Sequence, residues 1–167
     1  MDAKTGLQSF LERSATPFLR LRGFHRHGQR YTAARGDNTI FVQFQRRATF
    51  FTCDLAVVSA LLVRELGPTP PEHWRTRLGP VTTGYDRWWD LADEPDAVAR
   101  DFLGALATGL ERLEGLATDV GLRDELLADV MREPGIGSAV SSELALPLIR
   151  VLGLPGWAAE MASGAST

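Results

Sequence analysis

Leu7, Phe10, Leu11, Ser14, Phe18 and Leu21 recur at steps of three or four residues. That spacing lays them along one face of an amphipathic helix. Pro17 lacks a backbone N–H and is expected to kink this helix or to start a fresh turn after Thr16. Gly23 is expected to end it.

The period then changes. "QRYTAARGDNTIFVQFQRRATFFTCDLAVVSALL" is rich in aromatic and β-branched residues and is broken by "RGDN". It predicts three antiparallel strands, over about 28–35, 38–47 and 50–60. Gly36, Asp37 and Asn38 suit the first turn, so the "RGD" here reads as turn chemistry rather than as an adhesion signal. Alternation puts Ile40, Val42 and Phe44 on one face of the second strand and Phe41, Gln43 and Gln45 on the other. In the third strand Phe51, Cys53, Leu55 and Val57 share a face, opposite Phe50, Thr52 and Asp54. One face therefore reads as core. The other is half polar, with Gln43, Gln45, Thr52 and Asp54 as a patterned surface.

"GPTPPEH" is a proline-broken loop, and "RWWDL" predicts a short fourth strand. "DEPDAVARDFLGALATGLERLEGL" predicts a long helix. Acidic residues and Pro95 open it, and Val98, Phe102, Leu106, Leu110 and Leu113 line one side. A second helix is expected from about Leu122 to Arg132 and a third within "VSSELALPLIRVLGLPGW", interrupted by Pro147 and ended near Gly153. The order predicts an α+β fold. Its antiparallel sheet has three to four strands, preceded by one helix and followed by two to three helices packed on one face. Residues 1–157 are expected to form a single domain and 158–167, small and polar, a flexible tail.

Composition adds modest constraints. Of 167 residues, 44% are apolar and 23% charged, which suits a soluble globular chain. No apolar run approaches the roughly 18–20 residues that span a bilayer. "MDAKTGLQSF" lacks the basic-then-apolar pattern of a secretory signal. The single cysteine, Cys53, has no internal partner for a disulfide and lies in an apolar strand, which reads as a small core residue. A cytoplasmic chain is the expectation.

The net charge of −3 hides an asymmetry. Residues 1–50 carry nine basic and three acidic side chains, whereas 93–133 carry eleven acidic side chains against four arginines. A basic front half attracts an anion and an acidic back half repels one; solvated helix and strand faces account for the same pattern.

Few motifs carry chemistry. His25, His27 and His73 lack an acidic or thiolate partner at metal-ligand spacing, and the first two sit in the basic run "RLRGFHRHGQR", so no metal is expected. "GPVTTG" lacks the lysine of a phosphate-binding loop, and "GIGSAV" lacks the strand that precedes a dinucleotide-binding glycine loop. No serine lies in a nucleophile elbow. Tyr31, Phe41 and Phe50 could stack bases, with Arg30, Arg46 and Arg47 on phosphates. The RNA-binding glycine-aromatic signature is missing and the net charge is negative, so nucleic acid is not the expected partner.

"PPEHWRTRLGPVTTGYDRWWDL" concentrates three of the four tryptophans. If extended, it points Arg75 and Arg77 the same way. Two guanidinium forks can clamp a carboxylate or phosphate. The same arginines can instead pair with Asp54, Asp86 or Asp90 and lock the segment to the sheet, with Trp74, Trp88 and Trp89 covering the pairing.

"LRLRGFHRHGQRY", "IFVQFQRR", "FFTCDLAV", "HWRTRLG" and "DRWWDL", in that order and spacing, resemble a bacterial family known as domain of unknown function 4304. The resemblance covers roughly residues 7–115, leaving the two final helices outside. Gln43 stands where the family has asparagine, and Cys53-Asp54-Leu55-Ala56 departs from its asparagine-leucine-glycine pattern. The family has no established activity, so the resemblance implies a fold and almost no chemistry. If members share a polar site, it implicates Gln45, Arg75, Arg77 and Trp89.

The leading expectation is a non-enzymatic protein-interaction module, an immunity or regulatory partner, without a catalytic set or cofactor. Its partner would be another protein, with no membrane involved. The alternative is a small-molecule or anion-binding domain, even an enzyme, using the polar sheet face. The residues at issue are Gln43, Gln45, Asp54, Arg75, Arg77, Trp74, Trp88 and Trp89.

Overall fold

A computed structural model describes residues 3–131 and 142–153; the expected tail over 158–167 lies outside them. The chain starts with α1 (Ala3–Phe10), a π-helical stretch (Leu11–Ala15) and α2 (Thr16–Arg20). Pro17 sits in the first turn of α2, where a missing N–H costs nothing. The wide turn before it closes with the Thr16 N–H on the Leu11 carbonyl. Gly23, at φ 80°, ends the helix, and the Phe24 N–H returns to the Leu19 carbonyl.

Four strands follow: β1 (His25–His27), β2 (Arg30–Arg35), β3 (Asn38–Arg47) and β4 (Phe50–Val58). After helix α3 (Ala60–Leu66) come β5 (Trp74–Arg77), α4 (Leu78–Thr83) and β6 (Trp89–Asp90). The chain then forms α5 (Pro95–Leu116), α6 (Asp119–Met131) and α7 (Ser142–Leu152). The sheet order is β1-β2-β3-β4-β5, with β6 also pairing β4, and every pairing is antiparallel. No helix among the described residues is long and apolar enough to cross a membrane.

The α+β class and the antiparallel sheet stand, but three to four strands is an undercount, since six pair among the described residues. β1 is three residues of His-Arg-His and β5 is an arginine-rich stretch behind a proline loop, so neither shows apolar alternation. The expected single leading helix is two helical segments joined by the π-helical stretch, and α3 and α4 lie between strands where no helix was expected. The third strand stops at Val58 instead of 60 because Ser59 caps α3, its hydroxyl accepting the Leu62 N–H at 3.3 Å.

The alternation sorts the sheet as expected. Tyr31 pairs with Val42, Ile40 with Val57, and Phe44 with Cys53, and all are buried. Against this inner face pack Phe10 and Leu11 from the N-terminal helices and Phe102, Leu106 and Leu110 from α5. Phe51 is central, 4.6 Å from Phe10 and 5.1 Å from Phe102 between ring centroids. Asn38, expected as a turn residue at the start of the second strand, also ties the far end together. Its side-chain amide donates to the Ala117 carbonyl at 2.8 Å, and its carbonyl accepts the Ala60 N–H at 3.0 Å.

Candidate functional site

The outer face of the sheet carries a continuous polar network. Arg30 donates to Gln43 at 2.9 Å across β2 and β3 and reaches Glu72 at 3.2 Å. Glu72, in the loop before β5, also faces Arg75. Asp54, in the middle of β4, is the hub, with a side chain only 6% exposed. Its Oδ2 accepts from Arg75 Nε at 3.0 Å, from Arg75 Nη2 and from the Gln45 amide. That hydrogen bonding, with the carboxylate's charge, raises the Arg75 pKa above its ordinary value and outweighs the opposing cost of burial.

Arg77 lies beside Asp54 in register but turns to Asp86, which it meets at 2.5 Å. Its guanidinium lies 5.4 Å from the Trp88 ring centroid, and the Trp88 indole N–H donates to the same Asp86 at 3.2 Å. Gln45, Asp54, Arg75, Thr76, Arg77, Pro80 and Asp86 line a wide, shallow depression of about 460 Å³. Both guanidinium groups are ion-paired, although Arg77 Nε, 3.8 Å from Asp54 Oδ1, is buried without a hydrogen bond.

Gly79 makes this arrangement possible. A Cβ there would stand 2.7 Å from the Tyr85 carbonyl and closer still to the Arg87 backbone nitrogen. The bare glycine lets 85–87 lie against α4, which delivers Asp86 to Arg77 and leads the chain back into β6.

Beside the network the surface turns apolar. Arg47 and Phe50 face each other across the β3–β4 hairpin, joined by a turn in which Ala48 adopts φ 53°. Arg47, Ala48, Phe50 and Trp88 line an open recess of about 450 Å³ with an almost wholly apolar lining. Phe50 is 44% exposed, and Phe50 and Trp88 also border a groove with Asp90, Asp93 and Asp101.

The structure thus divides the eight residues singled out from sequence. Gln43, Gln45, Asp54, Arg75 and Arg77 share the outer network, and Trp88 joins it to the recess. Trp74 and Trp89 lie in the buried core, because β5 and β6 present them to the inner face. Trp89 is anchored there by its indole N–H on Asp101 of α5 at 2.6 Å, an acceptor shared with Arg87 at 2.5 Å. The sequence reading missed the roles of Arg30 and Glu72, whose partners lie far apart along the chain. It also missed the recess, although a phenylalanine on the polar side of an alternating strand was a usable signal.

Other candidates resolve differently. Tyr31 is buried, its hydroxyl 2.7 Å from that of Thr16, so it is separated from Phe41 and Phe50 as a base-stacking surface. The Arg35 of "RGD" is held by both oxygens of Glu114 at 2.6 Å. His25 and His27 are exposed, whereas His73 is buried and accepts the Ser59 N–H on Nδ1 at 3.0 Å. No group of three or more His, Cys, Asp or Glu among the described residues could hold a metal ion. Burial pushes the Cys53 thiol pKa well up, and Asp54 beside it adds to this, so the thiol is a poor nucleophile.

No curated protein and no solved structure matches the chain. A family model described as a domain of unknown function, DUF4304, matches residues 15–114. That span takes in the six strands, the polar network and the Phe50–Trp88 recess, and ends within α5. With more than half its length matched, the chain belongs to the DUF4304 family.

Proposed function

We propose that the chain is a non-enzymatic protein-interaction module, of the kind that serves as an immunity or regulatory partner, docking through the corner around Phe50 and Trp88. One observation carries this reading. The outer face holds an apolar recess bordered by exposed aromatic surface, while the arginines behind it are already held by internal carboxylates. Phe50 is set on β4 and Trp88 is tied to Asp86 just before β6; aromatic side chains held in this way lose little entropy on binding, which is how interface anchors gain their weight. The network holds the corner in shape.

The same ion pairs weigh against an anion or small-molecule site on Arg75 and Arg77. An anion there would meet Asp54 and Asp86 as well as the guanidinium groups, and would have to displace partners already in place.

The test compares the full-length wild type with a Phe50→Ala, Trp88→Ala double variant as immobilised bait. Extract of the source cells is passed over both at low and moderate salt. A partner retained by the wild type and lost by the variant is the expected result, with a weakening of about thirtyfold or more for two interface anchors. Nothing retained at either salt, or equal retention by both baits, contradicts the proposal.

A further inference from the structure

We infer that the occupant of the Phe50–Trp88 recess is an acidic segment of a partner protein that carries one bulky apolar side chain; this rests on the docking reading above and specifies its chemistry. The lining of Arg47, Ala48, Phe50 and Trp88 takes up an apolar group. The charge around it then decides the flanks. Arg47, at the end of β3 and part of the lining, is exposed, whereas Arg46, opposite Phe51 in register, belongs to the other face of the strand. Arg47 makes no ion pair or side-chain hydrogen bond among the described residues. Arg30, Arg35, Arg75, Arg77 and Arg87, by contrast, each have a carboxylate.

Neighbouring acids do not cancel this charge at the recess. Asp86 is held by Arg77. Asp90, opposite Phe50 in register, turns one oxygen to the Ala92 N–H at 3.0 Å. Asp90, Asp93 and Asp101, with Arg87, line the adjoining groove, which shares Phe50 and Trp88 with the recess but not Arg47. An acidic segment is attracted at Arg47 and repelled from that groove, so it has one favoured direction across the recess. The same groove disfavours a polyanion running on past Trp88, which selects an acidic polypeptide over a nucleic acid.

The experiment pans a library of short random peptides against the full-length chain. The best sequence, labelled with fluorescein, is then titrated by fluorescence polarisation. The expected consensus is a tryptophan, phenylalanine or leucine among aspartates and glutamates. Its affinity should fall several-fold in Arg47→Glu, by a smaller factor in Arg47→Gln, and as salt rises. Both variants must keep the wild-type melting temperature.

Four results overturn the inference, and a fifth overturns the docking surface with it. The four are a failure to select any peptide, displacement of the selected peptide by single-stranded DNA, a dimer of the chain that Phe50→Ala, Trp88→Ala dissolves, and a neutral or basic consensus whose binding still needs Phe50 and Trp88. The last leaves the docking surface standing and removes only its acidic partner. Selected peptides indifferent to both aromatic residues count against inference and docking surface together.

Discussion

Arg75 turns its guanidinium back along the sheet and places both Nε and Nη2 on one oxygen of Asp54, two register positions away on the adjacent strand. Gln45 donates to that same oxygen from the other side. A nearly buried carboxylate is thereby satisfied by three donors, and one cation is taken out of circulation. Removing the charge leaves those donors competing for a weaker acceptor. Asp54→Asn should cost about 1–3 kcal/mol by urea denaturation, at the lower end because both arginines are partly exposed. It should also create what the wild type lacks. Phosphate should raise the melting temperature of Asp54→Asn and leave the wild type unchanged, since ligand stabilisation follows affinity for the folded state.

Gly79 and Gly104 form a matched pair. A methyl group at 79 meets the backbone of 85–87, whereas one at 104, on α5, meets nothing within 4 Å. Gly79→Ala should destabilise by about 1–3 kcal/mol through overpacking. Gly104→Ala should stabilise by up to about 1 kcal/mol through helix propensity. Thermal melts of the two variants check both signs. Because Gly79 positions Trp88, the first variant should also weaken partner binding.

His73 predicts a pH dependence. Burial lowers its pKa from the ordinary 6.5. Nδ1 accepts a backbone N–H, so the neutral ring carries its proton on Nε2, which has no hydrogen-bond partner among the described residues. The unfolded chain protonates near the ordinary value and the folded chain only at lower pH, so the unfolded state binds more protons as the solution is acidified. This contribution is complete above pH 6.5 and is lost as pH falls from there towards the lowered folded value. The melting temperature should decline over that window, ahead of carboxylate titration, and His73→Gln should flatten the decline.

Ala48 holds a left-handed conformation that glycine adopts freely. Ala48→Gly should change stability by less than about 1 kcal/mol, because relief of strain is offset by greater freedom in the unfolded chain. Ala48→Val should cost about 1–2 kcal/mol and loosen the hairpin that sets Arg47 opposite Phe50. Denaturation curves read the first effect. Loss of partner affinity in Ala48→Val beyond that in Ala48→Gly reads the second.

The sheet interior was legible in the sequence because alternation reports burial directly. Ile40, Val42, Phe44, Phe51, Cys53, Leu55 and Val57 all face inward as their spacing implies. The site was half legible. Asp54 and Asp86 could be named as possible partners for Arg75 and Arg77, but which carboxylate each takes depends on register, and β5 is four residues long with no periodic signal. The adjacent tryptophans show the limit best. Trp88 and Trp89 are equivalent in composition, and only the pairing of Trp89 with Phe51 in β6 sends one into the core and leaves the other on the surface.

The most direct test places a photo-activatable benzoylphenylalanine at position 50 and, in a separate protein, at Val120, which is exposed on α6. Both proteins are irradiated in the source cells. A covalent adduct with one partner protein from position 50, absent from position 120 and abolished by Trp88→Ala, is the result this account requires. Adducts from 120 but not 50, or none from either, would contradict it.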